Sequence, residues 1–296
     1  MAVSIGGGAA LNYAAMRVAF YAPDGAGDKL LVAAVQAGAA RHGDAVIYIQ
    51  THRYEGVLAD ADAAACYGVR ASSRIILDAY RRAGKRVLFF DKGWPRGIYT
   101  RVAVDAWQPT AYFRRGRSSD RLDRSGIVLK PWRSAAAGSK IIFAATTQTW
   151  LDFFDLGPGR ALYELMVGML AGMEPGLVVY RPRPAYAKKH PELCGPIAGA
   201  QMSDPAQPLA EALNDAMLLV TIGSNAAIEA LIHGVPVLVL GDNPARLLNW
   251  RTTNVEAERP GFFADLAWTQ WTMDEYLSGE AWAEIRQTMK RRGACV

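Results

Sequence analysis

The stretch from Leu219 to Val237, LVTIGSNAAIEALIHGVPV, decides the fold. Its apolar, β-branched start reads as a buried strand over Met217 to Ile222. Gly223 allows a close turn, Ser224 or Asn225 caps a helix from Asn225 to His233, and Gly234 and Pro236 end that helix before a strand at Val235 to Leu240. Strand, turn, helix and strand form the repeating unit of a parallel α/β sheet, whose ligands sit beyond the carboxyl ends of the strands. Free N–H groups and hydroxyls of Thr221, Gly223, Ser224 and Asn225 are therefore expected to converge as a phosphate cradle. The alternative is an ordinary strand-helix-strand unit with a good cap. Glu229 lies four residues after Asn225, on the same helical face, where a carboxylate suits a ribose or sugar diol.

The same unit recurs in both directions. Upstream, strands are expected at Lys140 to Ala145 and Leu177 to Arg181, with helices at Pro158 to Met173 and Leu209 to Asp215. Further back, strands at Arg17 to Ala22, Ala45 to Gln50, Ala64 to Val69 and Arg86 to Asp91 alternate with helices at Asp28 to His42 and Ser72 to Ala83. From Lys92 to Arg124 this periodicity gives way to an irregular insert rich in Trp, Tyr and Arg, in which Arg114 to Asp120 reads as an exposed loop. Gly126 to Ser139 reads as a linker. At ~150 residues per domain, 296 residues suit two domains, placed at 1–135 and 136–296, with the helical tail from Trp268 to Arg292 in the second.

Composition excludes several classes. Three scattered cysteines (Cys66, Cys194, Cys295) and four histidines argue against a disulfide framework or a structural zinc site, and suit a reducing, cytoplasmic setting. No stretch reaches ~18 uninterrupted apolar residues, and Met1 to Leu11 lacks a basic start, which argues against a membrane span and a signal peptide. A dinucleotide fingerprint beginning at Gly25 and Gly27 fails because position 30 is Leu30. The formal charge of +5 points mildly toward an anionic partner.

The run TIGSNAAIEALIHGVPV resembles the donor-site helix of GT-B glycosyltransferases, in particular the capsule and surface-polysaccharide type and related phage proteins. VVYRPRP, from Val178 to Pro184, resembles their Arg-Pro-basic-Pro signature, with Arg183 where Lys or His is commoner; LAWTQWTMDEYLSGEAW, from Leu266 to Trp282, resembles their C-terminal region. The resemblance implies two Rossmann-like domains facing a central cleft, with a nucleotide-sugar donor held by the second and an acceptor by the first. It assigns Arg181 and Arg183 to the donor diphosphate, Ser224 and Asn225 to the same group through the helix N-terminus, and Glu229 to the ribose. Such guanidinium and N–H groups stabilise the departing nucleoside diphosphate, so neither a metal nor a further cofactor is expected. Lys188 and Lys189 are weaker phosphate candidates.

The base is then expected at a strand end of the first domain. Asp91, closing the strand Val87 to Phe90, is the first choice, Asp24 the second and His52 the third. The insert interleaves Arg96, Arg101, Arg114, Arg115, Arg117, Arg121 and Arg124 with Trp94, Tyr99, Trp107, Tyr112 and Phe113. Arginines bind phosphates and rings stack on bases, so the favoured acceptor is a hydroxymethylated pyrimidine in double-stranded DNA, with the host cytoplasm as the setting if the chain is phage-encoded. The alternatives are a surface polysaccharide or oligosaccharide acceptor, or a non-catalytic nucleotide- or glycan-binding module.

Overall fold

The computed structural model describes residues 15–94, 97–107, 116–133, 138–183, 190–204, 206–249 and 254–293. In the first part of the chain β1 (Arg17–Ala22), α1 (Ala26–Ala40), β2 (Ala45–Gln50), β3 (Ala63–Tyr67), α2 (Ala71–Arg82), β4 (Arg86–Lys92), β5 (Thr100–Val104) and α3 (Asp120–Arg124) follow in order. In the second, β6 (Lys140–Ala144), α4 (Gln148–Phe153), α5 (Gly159–Met173), β7 (Val178–Arg181), β8 (Gln201–Met202), α6 (Leu209–Ala212), β9 (Ala216–Thr221), α7 (Ala226–Ile232), β10 (Val237–Val239) and α8 (Val255–Ala267) precede β11 (Gln270–Trp271), α9 (Met273–Ser278) and α10 (Glu280–Gly293).

Two sheets form, in the orders β11-β5-β4-β3-β1-β2 and β10-β9-β6-β7-β8. The second is parallel throughout, and in the first only the β4-β5 and β5-β11 pairs are antiparallel. Strand alternation sends Val18, Phe20 and Ala22 to one face of the first sheet and Ala19 and Tyr21 to the other, so each face builds its own core. This is the expected pair of Rossmann-like α/β units.

Three elements depart from the sequence-based expectation. The insert is not irregular throughout: it holds β5, whose Arg101 sits opposite Asp91 of β4 in the register, and α3, whose Leu122 enters the second core. The helix α8 carries Pro260 in its interior, a breaker that hides its periodicity. The tail, expected with the second domain, crosses back: β11 pairs with β5, and Tyr276, Trp282, Ile285 and Met289 pack with Phe20, Val32 and Phe90 in the first core. The reason is coverage. α1 alone cannot cover an apolar face running from Val46 of β2 to Val102 and Val104 of β5, and α9 and α10 complete the layer.

Polar contacts lock the tail in place. Buried Asp44 accepts hydrogen bonds from the Met16 N–H at 2.9 Å and Trp282 Nε1 at 2.7 Å, and His42 Nε2 lies 2.9 Å from the Gly279 carbonyl. The backbones of α1 and α9 meet at Gly38, where an added Cβ would fall 2.0 Å from the Tyr276 carbonyl oxygen. Gly38→Ala is expected to cost about 2 kcal/mol through forced separation of the helices. Gly168 of α5 has open space around it, so Gly168→Ala should be neutral or slightly stabilising by helix propensity. Urea midpoints of the two variants check this contrast; equal midpoints would remove the close approach from the account.

Candidate active site

The carboxyl ends of β6, β7 and β9 open into two adjoining cavities. One, of about 430 Å³, is bordered by Trp94, Arg181, Arg183, Leu209, Asn225 and Glu229. The other, of about 480 Å³, lies between the domains, with Tyr67, Arg70, Asp91 and Lys92 on one side and Thr149 and Trp150 on the other. Ala145, Arg183, Ser224 and Asn225 border both, so the head of α7 is where the two spaces meet.

The turn between β9 and α7 is built from hydroxyl contacts. Thr221 is fully buried; its Oγ1 donates to the Ala144 carbonyl at 2.7 Å and accepts from the Ser224 N–H at 3.2 Å. Thr146 Oγ1 accepts from the Gly223 N–H at 3.1 Å, and Ser224 Oγ accepts from the Ala226 N–H at 3.2 Å. Two N–H groups of the expected cradle, those of Gly223 and Ser224, are thus satisfied internally, as is that of Ala226. Thr221 shapes the turn from beneath, Gly223 borders the cleft cavity, and Ser224 and Asn225 border both cavities. Gly223 is required by packing, because a Cβ there would fall 2.2 Å from the Trp150 ring.

Of the two arginines of the Arg-Pro-Arg run, Arg181 is buried beneath the smaller cavity, with one guanidinium nitrogen donating to the Gln207 carbonyl. Burial lowers its pKa, while the carboxylates of Glu229 and Asp204 act in the opposite direction. Arg183 is half-buried and borders both cavities. Pro184, Lys188 and Lys189 lie outside the described residues.

Across the cleft, Asp91 ends the apolar part of β4 and its Oδ2 accepts from Arg101 Nη2 at 2.7 Å. Arg101, expected at the acceptor, is buried and fixes this carboxylate's orientation while still bordering the cavity. Burial raises the pKa of neighbouring Tyr67, and the Asp91 charge adds to the rise. Asp24 is not brought to the site: it is half-exposed, pairs with Lys29 at 2.7 Å and borders neither cavity. Hydrogen bonds from Lys29 and Gln50 lower its pKa. His52 is exposed on a short 3-10 turn, Thr51–Arg53, outside both cavities.

The expected nucleic-acid surface is also corrected where it is described. Arg117 stacks 3.8 Å over the Trp268 ring centre and pairs with Glu284 at 3.0 Å. Arg121 is buried against Glu275. Trp107 packs edge-on to Phe89 and Phe153, with Arg81 over its ring. Tyr99 borders neither cavity, and Trp94 faces the smaller one, on the second domain's side. The tail's acidic residues and tryptophans absorb Arg117 and Arg121, which removes these two guanidinium groups from solvent. Arg96, Tyr112, Phe113, Arg114 and Arg115 lie outside the described residues.

Residues not foreseen at the cleft are Tyr67, the last residue of β3, Arg70 beyond it, and Thr146, Thr147, Thr149 and Trp150, after β6. Both groups stand at or beyond the carboxyl ends of parallel strands, the rule that singled out Asp91.

Residues 189–249 match a family model described as "Putative glycosyltransferase (DUF6716)", a span that includes β9, the turn and α7. No curated protein matches the chain in sequence. Among solved structures it is similar to Thermosulfurimonas dismutans KpsC, beta Kdo 2,4 transferase, at 11% identity and a TM-score of 0.54, covering 86% of this chain and 91% of that one. It is also similar to the KpsC beta Kdo 2,7 transferase of the same organism, at 11% identity and a TM-score of 0.48, covering 88% and 98%. Among the described residues no helix is long and apolar enough to cross a membrane. The chain has the fold of the GT-B glycosyltransferases, two Rossmann-like α/β units with a cleft between them.

Proposed function

We propose that the protein is a glycosyltransferase that moves a sugar from a nucleotide-sugar donor to a hydroxyl of a saccharide acceptor. The observation that carries this is the junction of the two cavities at Arg183, Ser224 and Asn225. A donor lying across that junction has its nucleoside in the smaller cavity beside Glu229 and its diphosphate at Arg183 and the α7 turn. Its sugar then enters the cleft that Asp91 borders. Charge that develops on the departing diphosphate meets a guanidinium and hydrogen-bond donors already in position. Asp91 takes the acceptor proton, and Arg101 and Thr221 act as positioning residues. The family match over residues 189–249 covers the α7 turn. A saccharide is favoured over DNA because Arg117 and Arg121, expected to follow a DNA backbone, are committed to internal carboxylates.

The test is transfer from a panel of nucleotide sugars to oligosaccharides and to DNA containing hydroxymethylpyrimidines, with products weighed by mass spectrometry. Mass gain on a saccharide alone is the expected result; gain on DNA alone overturns the acceptor, and absence of both transfer and nucleotide binding overturns the enzyme. Glu229→Gln should weaken nucleoside diphosphate binding roughly tenfold by removing a charged acceptor. Calorimetry on folded protein checks this, and unchanged affinity would take Glu229 out of the donor site.

A further inference from the structure

The cleft cavity is lined by four cations, Arg70, Lys92, Arg101 and Arg183, and by one carboxylate, Asp91. Two of the cations have work in the proposed reaction. Arg101 is paired with Asp91 at 2.7 Å, and Arg183 borders the donor cavity as well as the cleft. Arg70 and Lys92 remain, both on the first domain's side.

Their placement follows from the sheet. β3 and β4 are hydrogen-bonded neighbours, with Tyr67 opposite Phe90, so the two chains leave the sheet side by side at its carboxyl edge. Lys92 is the last residue of β4. After β3, Gly68 turns the chain at a φ of +85° and donates its N–H to the Phe90 carbonyl at 2.8 Å, and Arg70 follows immediately before α2. Among the described residues neither side chain makes an ion pair. The first turn of α2 contains no acidic residue, so nothing there offsets the positive end of this twelve-residue helix. Like charges gathered on one wall of a concave site repel one another in the free protein and concentrate anions there.

Building on the glycosyltransferase reading, we propose that the acceptor is an acidic saccharide, one bearing a carboxylate or phosphate substituent, and that Arg70 and Lys92 select it. The acceptor hydroxyl lies at Asp91 while the substituent reaches the rim formed by the ends of β3 and β4. Charge at that rim acts mainly on the choice of acceptor and on encounter. Lys92 borders the same cavity as Asp91, so the selecting charge lies on the wall that carries the proposed base.

The experiment uses the full chain. It compares hexuronate-containing oligosaccharides, their carboxyl-reduced neutral counterparts and phosphorylated oligosaccharides, by direct binding and as acceptors. Nucleoside diphosphate binding is measured on the same samples. At low ionic strength the best acidic compound should bind about tenfold more tightly than its neutral counterpart, a preference that shrinks as salt is added. The hexuronate and phosphate arms decide which substituent it is. The Arg70→Ala, Lys92→Ala double variant should lose the preference while keeping its nucleotide affinity and melting temperature. Equal binding of acidic and neutral compounds overturns the proposal, as does a preference that survives in the double variant, or nucleotide binding without binding of any saccharide. Absence of nucleotide binding instead overturns the glycosyltransferase reading on which the proposal rests.

Discussion

Replacing Arg121 with methionine is expected to destabilise the folded chain by about 3 kcal/mol, the lower end of what breaking a buried charge pair costs. The Arg121 side chain is 3% exposed and donates to both carboxylate oxygens of Glu275, at 2.6 and 2.9 Å. It also donates to the carbonyls of Ala267 and Gln270, each at 2.9 Å, and lies 3.8 Å over the Trp271 ring. Ala267 ends α8 in the second core and Gln270 begins β11 in the first sheet, so one guanidinium holds the point where the chain crosses between domains. Methionine fills the space but leaves two carbonyls and a carboxylate without their donor. Glu275 is 18% exposed and keeps its capping-box contacts with Thr272, which softens the loss and sets the estimate at the lower end. Arg121→Lys should recover less than half, since an ammonium cannot reproduce the two-oxygen fork or the ring stack. Urea unfolding of the three proteins measures this, and a loss below about 1 kcal/mol for methionine would sink the account.

The pair also has a pH signature. Burial alone would raise the Glu275 pKa, but hydrogen bonds from Arg121 and Thr272, with the Arg121 charge, bring it below the usual carboxylate value. A carboxyl depressed in the folded state contributes stability above its unfolded pKa, and that contribution disappears as the pH falls through the folded value. The stability difference between wild type and Arg121→Met should therefore be full at neutral pH and narrow on acidification.

What the sequence reveals follows from where each signal originates. β1 and β2 can be bounded to the residue because each is a short apolar run closed by a turn, and β6 and β9 to within a residue. β11 is two residues long, too short for periodicity to register, β5 carries Arg101 and lies within the Trp-, Tyr- and Arg-rich insert, and Pro260 disguises α8. Asp91, Arg183, Ser224 and Asn225 all stand at or just beyond a parallel strand's carboxyl end, and Glu229 lies one helical turn into the helix that follows β9, so the topology exposes them. Arg70 and the threonines after β6 obey the same rule but lie among residues with no distinctive spacing. The arginines of the insert were open to misreading for a different reason. Nothing in a local run tells an arginine facing water from one facing a tryptophan, and the partners Glu275 and Glu284 of Arg121 and Arg117 are 154 and 167 residues away.

Asp91→Asn is expected to lower the transfer rate by a factor of roughly 10² to 10⁴, the range that a positioned general base contributes. The substitution isolates the proton-accepting role. An asparagine side-chain oxygen can still accept from Arg101 Nη2, which lies 2.7 Å from Asp91 Oδ2, so the rotamer and the β4-β5 pairing should persist. What disappears is the negative charge and the ability to hold the acceptor's proton. The proposed donor contacts, at Arg183, Asn225 and Glu229, line the cavity of the second domain, so nucleoside diphosphate affinity should stay within about twofold of wild type, a small fraction of the factor of ten that 1.4 kcal/mol represents. Asp24 serves as the control. Its carboxylate is occupied by Lys29 at 2.7 Å and borders neither cavity, so Asp24→Asn should leave transfer within about twofold. Single-turnover transfer and calorimetric nucleotide binding on all three proteins distinguish the possibilities. A rate for Asp91→Asn within threefold of wild type would move the base elsewhere in the cleft, and a parallel loss of nucleotide affinity would show that Asp91 supports the fold rather than the proton transfer.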